Sequence, residues 1–214
     1  MKSRILIVDD HPVVRWGMSQ MVNQEADLHI CCEAGDETEA LHALANCRHD
    51  LAIVDLSLAG VSGLSLIKSI KAGAPELPIL VMSMHDESVY AARVMRAGAR
   101  GYIMKHEAPD NVLRAIRQTL AGHMYLSDTM RTKLLTQMFD GRGNAGASPV
   151  EKLSDTELEI FKLVGKGLST REIAELLSRS VKTVETHRRN IIEKLQLKTS
   201  LELVRFAARW SEQS

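Results

Sequence analysis

Short, wholly apolar runs separated by helix-length segments constrain this chain more than any other feature. β-Rich runs occupy Ile5–Val8, Leu51–Asp55, Ile79–Ser83 and Gly101–Lys105, with a less regular one around Leu28–Glu33. Between them lie helix-like segments at Pro12–Asn23, Asp36–Asn46, Gly63–Lys71, Glu87–Ala97 and Pro109–Ala121. A strand that is apolar at successive positions has no solvent face, so these runs predict a parallel sheet with helices on both sides. Five such units predict a compact, doubly wound α/β domain over residues 1–122.

In that architecture ligands gather at the carboxyl ends of the strands. The first run, "RILIVDDHP", ends on Asp9 and Asp10; later runs end on Asp55, Ser83 and Lys105. Pro12 suits the first turn of the following helix, where no N–H is needed. That helix is expected to bury Val14, Met18 and Met21 and to turn Trp16 toward solvent, where an exposed Trp suggests a contact surface.

Three acids cannot converge without help. Two like charges ~4 Å apart at an effective dielectric of about 20 repel by roughly 4 kcal/mol. Lys105 brings one positive charge against three negative ones. Carboxylates, a carbonyl and retained waters are the ligand set that suits Mg²⁺. Beside such an ion a carboxylate can attack a phosphoryl group and carry it as an acyl phosphate. The ion and Lys105 would neutralise the transferred oxygens, and the Ser83 hydroxyl could donate to the product. Ordinary polar caps at strand ends would explain any one of these acids, but not the whole set in this order.

From Leu153 the pattern is helical. "SDTE" (Ser154–Glu157) and "STRE" (Ser169–Glu172) have capping-box spacing, Ser180 can cap a third helix, and a fourth runs from about Ser200 to Trp210. These predict a small all-α domain over residues 150–214. In "STREIAELLSRSVKTVETHRRNIIEKL" the first helix buries Ile173, Ala174 and Leu177. The second lines up Val184, Ile191 and Leu195, and its opposite face carries Lys182, Thr186, Arg189 and Glu193. Residues 179–194 hold five basic residues against two acids. An exposed basic helix behind an apolar-packed partner suits the major groove, and Thr183 with the first-turn N–H groups can reach phosphate. Charge pattern alone equally suits a solvated amphipathic helix. The net charge of zero puts any basic surface in a local patch: residues 1–122 hold 12 Lys and Arg against 15 Asp and Glu, and residues 151–214 hold 12 against 10.

Residues 123–149 are expected to join the two domains, with a helix over 127–139 and a Gly-, Ala-, Asn- and Ser-rich linker at Asp140–Pro149. Within the linker "GRGNAG" (Gly141–Gly146) matches a dinucleotide-binding pattern by letter, but no strand precedes it and no helix follows. Cys31, Cys32 and Cys47 lack C-x-x-C spacing and paired His, which argues against a disulfide framework or a zinc site and for buried, reduced thiols. No apolar run is long enough to span a bilayer, and no signal-peptide core precedes the first acids, so a cytoplasmic protein is expected.

"ILIVDDHP", "LAIVDLSLAGVSG", "ILVMSMHD" and "GYIMKHEAP" together resemble the receiver domain of two-component response regulators, over residues 1 to about 122. The resemblance implies that Asp55 is the phosphoacceptor, charged by a sensor histidine kinase. It further implies that Asp10, chiefly, and Asp9 hold Mg²⁺ with Asp55 and the Ser57 carbonyl. Ser83 and Lys105 would contact the phosphoryl group, and Tyr102 is the aromatic that turns inward with Ser83. Ala59 stands where the family commonly has Pro. Met84 follows Ser83 in place of a smaller residue, and its bulk could hinder access. His106 replaces the frequent Pro after Lys105; a cis bond there would cost ~3 kcal/mol, which predicts trans or strain.

"LSDTELEIFKLVGKGLSTREIAELLSRSVKTVETHRRNIIEKL" resembles the LuxR-type helix-turn-helix of the NarL/FixJ response regulators, over residues 153 to about 210. By that resemblance Lys182, Glu185, Thr186 and Arg189 face base edges of double-stranded DNA. Thr183, His187 and Arg188 lie near the DNA backbone, and Ser200–Trp210 is the dimer-forming element. The expected protein is thus a phosphorylation-controlled transcription regulator that forms a homodimer on phosphorylation or on DNA. It would assist its own phosphotransfer and dephosphorylation without being a conventional enzyme. Doubly wound phosphohydrolases also use a strand-end Asp with Mg²⁺, but they need an acid two residues further on, where this chain has Ser57. A receiver acting only as a protein-binding module, without sequence-specific DNA binding, is the other alternative.

Overall fold

The computed structural model describes residues 2–58, 62–132 and 149–213. The chain divides into two compact units between Asp140 and Gly141.

The first unit is the expected doubly wound parallel sheet, with strand order β2-β1-β3-β4-β5. Its strands are β1 (Ser3–Val8), β2 (Leu28–Ala34), β3 (Leu51–Val54), β4 (Ile79–Ser83) and β5 (Gly101–Met104). They alternate with α1 (Pro12–Asn23), α2 (Glu37–Asn46), α3 (Gly63–Gly73), α4 (Glu87–Arg96) and α5 (Pro109–Leu120). From β1 the chain turns to β2 on one side and then crosses to β3 on the other. The carboxyl ends of β1 and β3 therefore flank the crevice where the strand order reverses.

Every residue of β3 and β4 is buried, as strands covered on both faces require. On one face Ile5, Ile7, Ile30, Ile53, Leu80 and Met82 pack with Met18 and Val22 of α1 and with Ala115 and Ile116 of α5. Pro12 begins α1, which buries Met18, Ser19 and Val22. Val14 and Met21 are only partly buried against this core, so the α1 stripe lies slightly to one side of the expected one. Trp16 is exposed, as its position off the stripe predicts.

β2 is irregular because its register slips. Ile5 pairs with Ile30 but Leu6 pairs with Cys32, so Cys31 is a bulged residue. The thiols are free, but half-buried rather than buried as expected. Beyond α5 the chain returns to the open side of β5: the Tyr102 N–H donates to the Tyr125 carbonyl at 2.9 Å, and the Tyr125 N–H donates to the Arg100 carbonyl at 3.1 Å. This covers an otherwise free sheet edge. Leu126 and Met130 are buried there, and α6 begins at 128 and is described to 132. The rest of the helix expected at 127–139, the linker before Pro149 with its "GRGNAG", and Ala59 lie outside the described residues.

The second unit is all helical: a 3-10 turn (Pro149–Lys152), α7 (Asp155–Gly165), α8 (Thr170–Leu176), α9 (Val181–Lys194) and α10 (Ser200–Gln213). Both capping boxes form, Ser154 with Glu157 and Ser169 with Glu172, and the Ser180 side chain caps α9 by accepting from the Thr183 N–H. The core joins Val184 and Ile191 of α9 to Phe161 of α7, whose ring lies 5.7 Å from Phe206 and 5.6 Å from Trp210 of α10. No helix among the described residues is long and apolar enough to cross a membrane.

Glu157 also ties α7 to α9, because Lys194 Nζ donates to its Oε2 at 2.6 Å. Burial alone would raise this carboxyl, but the bonds from Lys194 and Ser154 outweigh it and hold the pKa below the ordinary 4.5. A depressed folded-state pKa stabilises above the unfolded value and stops doing so as pH falls through the folded one. Glu157→Gln is therefore expected to cost about 2 kcal/mol at neutral pH. The gap from wild type should close below pH 4.5. Urea unfolding read through Trp210, in a Trp16→Phe background, measures both; a gap that stays constant with pH would contradict the ion pair.

Candidate functional site

Two strand ends bring the acids together. Asp9 and Asp10 follow β1, and Asp55 follows β3, whose last residue, Val54, pairs with Val8. Suitable ligand atoms of Asp9, Asp10, His11 and Asp55 all lie within 4.8 Å of one another. Asp9 and Asp55 are buried, whereas the Asp10 side chain keeps 25% of its surface exposed. Lys105, just past β5, reaches across to both buried acids, with Nζ at 2.6 Å from Asp9 Oδ2 and 2.8 Å from Asp55 Oδ2.

The electrostatics follow from burial. Burial raises the Asp55 carboxyl above the ordinary carboxylate range, more than the Lys105 bond lowers it. Burial opposes the Lys105 charge, but its bonds to Asp55 and Asp9 outweigh that and raise the ammonium pKa. The two Asp9 oxygens are engaged by the protein itself, Oδ1 accepting from the His11 N–H at 2.9 Å and Oδ2 pairing with Lys105. Asp55 Oδ1 is buried with no hydrogen-bond partner, and Asp9 Oδ2 and Asp10 Oδ1, also buried, have only their ionic contacts with Lys105 and His11. A buried, unpaired carboxylate oxygen among three acids and one ammonium is the donor set that a hard divalent cation completes.

Ser83 and Tyr102 are both buried. Ser83 Oγ accepts from the His85 N–H at 3.1 Å, and the Tyr102 hydroxyl donates to the His85 carbonyl at 2.6 Å. His85 Nε2 lies 2.8 Å from Ser57 Oγ, and its ring stacks on Tyr90 at 5.0 Å. His85 thus links the β3 and β4 loops. It stands two residues beyond Ser83, but nothing in the local sequence pattern marks a cross-loop contact. Met84 is 58% exposed, and every peptide bond among the described residues is trans, including Lys105–His106.

Gly63 is likewise unmarked by the sequence pattern. It opens α3 directly beneath the acid cluster, and a Cβ there would overlap the Asp55 carbonyl oxygen and press on Leu56 Cα at 2.6 Å. Gly63→Ala must therefore displace the Asp55 backbone. Since about 1 Å of misplacement can cost on the order of 10²-fold, it should slow phosphoryl uptake from acetyl phosphate by about that much while every reactive group remains. Wild-type uptake rates would show that the backbone yields elsewhere.

In the second unit α8, a turn and α9 form the helix-turn-helix. The turn closes with Ser178 at φ 50°, a left-handed conformation rare for a non-glycine residue, and the Arg179 N–H donates to the Ala174 carbonyl at 2.8 Å. Val184, Ile191 and Leu195 face the core as predicted, and Leu177 is half-buried. Lys182, Glu185, Thr186 and Arg189 are exposed together, while Thr183, His187 and Arg188 are half-buried along the margin. Thr183 Oγ1 lies 2.8 Å from Ser180 Oγ at the head of the helix. Burial lowers the Arg188 pKa, consistent with its place nearer the apolar stripe.

A parallel α/β unit with an acid cluster at its switch point, joined to a helix-turn-helix unit, defines a response regulator with a DNA-binding output. Residues 5–117 match the family model described as response regulator receiver domain, and residues 151–207 match that of the bacterial regulatory proteins, luxR family. The oxygen regulatory protein NreC of Staphylococcus carnosus is 38% identical over 208 residues, covering 95% of this chain and 96% of NreC. NreC of Staphylococcus haemolyticus gives the same figures. Among solved structures, RcsB from Salmonella enterica serovar Typhimurium, bound to promoter rprA with the phosphomimetic BeF3⁻, superposes with a TM-score of 0.74 at 26% identity, covering 97% of this chain and 99% of RcsB. The chain belongs to the NarL/FixJ family of two-component response regulators and is a DNA-binding member of it.

Proposed function

We propose that Asp55 accepts a phosphoryl group from a sensor histidine kinase and that this change controls binding of double-stranded DNA by α9. The observation that carries the reading is the convergence of Asp9, Asp10, Asp55 and Lys105 at the β1–β3 crevice, with one Asp55 oxygen buried and unpaired. Asp10, Asp9, Asp55 and the Ser57 carbonyl would hold Mg²⁺, which would offset negative charge on the incoming phosphoryl oxygens. Asp10 is the more exposed of the first two acids and has less of its surface committed to the protein, which suits the leading ligand role.

The reaction is a single displacement. An Asp55 carboxylate oxygen attacks phosphorus, the bond from phosphorus to the donor breaks, and the donor leaves with its electron pair. Lys105 Nζ, already at Asp55, is placed to pair with a phosphoryl oxygen, and Ser83 Oγ to donate to another. Engaging Ser83 in this way would disturb its bond from the His85 N–H and, through the His85 carbonyl, the Tyr102 hydroxyl. Those contacts are a physical route from phosphate to the surface around β4 and β5.

On the output side, Lys182, Glu185, Thr186 and Arg189 would meet base edges, and Thr183, His187 and Arg188 the phosphate backbone. RcsB, a structural neighbour, is known bound to a promoter in the presence of BeF3⁻. By analogy this chain would act as a homodimer in the cytoplasm, with Ser200–Trp210 at the dimer contact. Its role as a regulator rather than a conventional enzyme follows from the same reading. Incubation with acetyl phosphate and Mg²⁺ is expected to add one acid-stable, base-labile phosphoryl group, and EDTA to abolish the uptake. Equal uptake in EDTA would remove the divalent ion from the reading.

A further inference from the structure

Far from the carboxyl ends of the strands, the fold assembles a second group of metal-binding side chains that sequence spacing argued against. Ligand atoms of Cys31, Cys32 and His49 all lie within 4.8 Å of one another. The cause is the bulge in β2. Ile5, Ile7, Leu28 and Ile30 belong to the core beneath α1 and α5. Strict alternation would put Cys31 on the opposite face and return Cys32 to the α1 and α5 side. The register slip instead sets Cys32 beside Leu6, which alternates with Ile5 and Ile7 and so faces away from α1. Both thiols therefore fall on the α2 side of the sheet. Cys47 caps the carboxyl end of α2; it lies outside that group of three, but its thiol is near enough to act on that of Cys32. His49 follows two residues later, just before β3.

We propose that Cys31, Cys32 and His49, with Cys47 as fourth donor, bind a thiophilic divalent cation of the zinc class. Thiolate and imidazole are the donors that such an ion prefers, and four of them satisfy its tetrahedral demand. Two further observations point to a ligand. Both His49 ring nitrogens are buried without a well-formed hydrogen bond, although the residue is a polar one at a loop. The Cys47 carbonyl lies beside the ring, the kind of acceptor that a metal-bound imidazole uses for its other nitrogen. A bound ion would pin the β2 bulge to the α2–β3 loop. It would not share ligands with the Asp9, Asp10 and Asp55 cluster.

The test uses the full chain, reduced, stripped of metal by chelation and freed of chelator. Co²⁺ titration is expected to give a thiolate-to-cobalt charge-transfer absorption that saturates at one equivalent and is bleached by Zn²⁺. Asp10→Asn should leave that absorption intact, since carboxylates cannot produce it. Cys32→Ser and His49→Gln should weaken binding by at least ~10²-fold, the upper end of what loss of a mere outer partner costs. Acetyl phosphate uptake, which does not use this cluster, reports whether each variant is folded. No charge-transfer absorption in the folded wild type overturns the proposal, and so does wild-type affinity in both folded variants.

Discussion

Asp55→Asn should take up no phosphoryl group from acetyl phosphate and Mg²⁺, because the amide offers no anionic oxygen to attack phosphorus. The cavity, the Lys105 contact and the neighbouring acids would remain nearly the same size and shape, so a loss of fold cannot explain the result. Circular dichroism and thermal melting should overlay the wild type or show a small gain in stability. The raised Asp55 pKa marks the burial cost of its charge, which the substitution relieves. Lys105→Ala should act differently. It removes the cation within 2.8 Å of both buried acids and leaves them unpaired. Breaking a buried pair on one side costs about 3–5 kcal/mol, so this variant should be markedly less stable as well as slow to react. Undiminished labelling of Asp55→Asn, with the label mapped to another residue, would overturn the assignment.

The second large effect is on DNA. Beryllofluoride, a phosphoryl mimic, should tighten binding of the full chain to a duplex carrying two half-sites one helical turn apart. Joining two recognition helices in one dimer can gain ~10²–10⁴ in affinity without a new contact. A duplex with a single half-site should gain far less, and the gain on the double site should rise steeply with protein concentration. Within either complex, Arg189→Ala should cost about 1–3 kcal/mol and relax preference at one base pair. Arg188→Ala should weaken all sequences alike and flatten the salt dependence. Equal affinity with and without beryllofluoride on both duplexes would separate phosphorylation from DNA binding altogether.

What the sequence by itself determined is local or periodic. The runs Ile5–Val8 and Ile79–Ser83 were legible as buried strands because both faces are apolar, and the order of strands and helices left few ways to wind the sheet. The acids were legible because a parallel sheet sends every strand exit to the same edge, so Asp9, Asp55 and Lys105 had to meet wherever they stood in the chain. The caps at Ser154, Ser169 and Ser180 close within three residues, and each formed as read. Tertiary structure decided the rest. Tyr125 adds to the edge of β5 through backbone bonds that no side-chain pattern announces. His85 joins Ser57 to Tyr102 because two loops 28 residues apart happen to abut. Gly63 matters through the backbone atom it would strike, which depends on how α3 enters the crevice. The cysteines show the difference most plainly: alternation would have put adjacent thiols on opposite faces, and one bulged residue put them on the same face beside His49. Spacing along the chain constrains ligands that share an element, whereas a register slip between strands is a property of the pair and forms only when the sheet does.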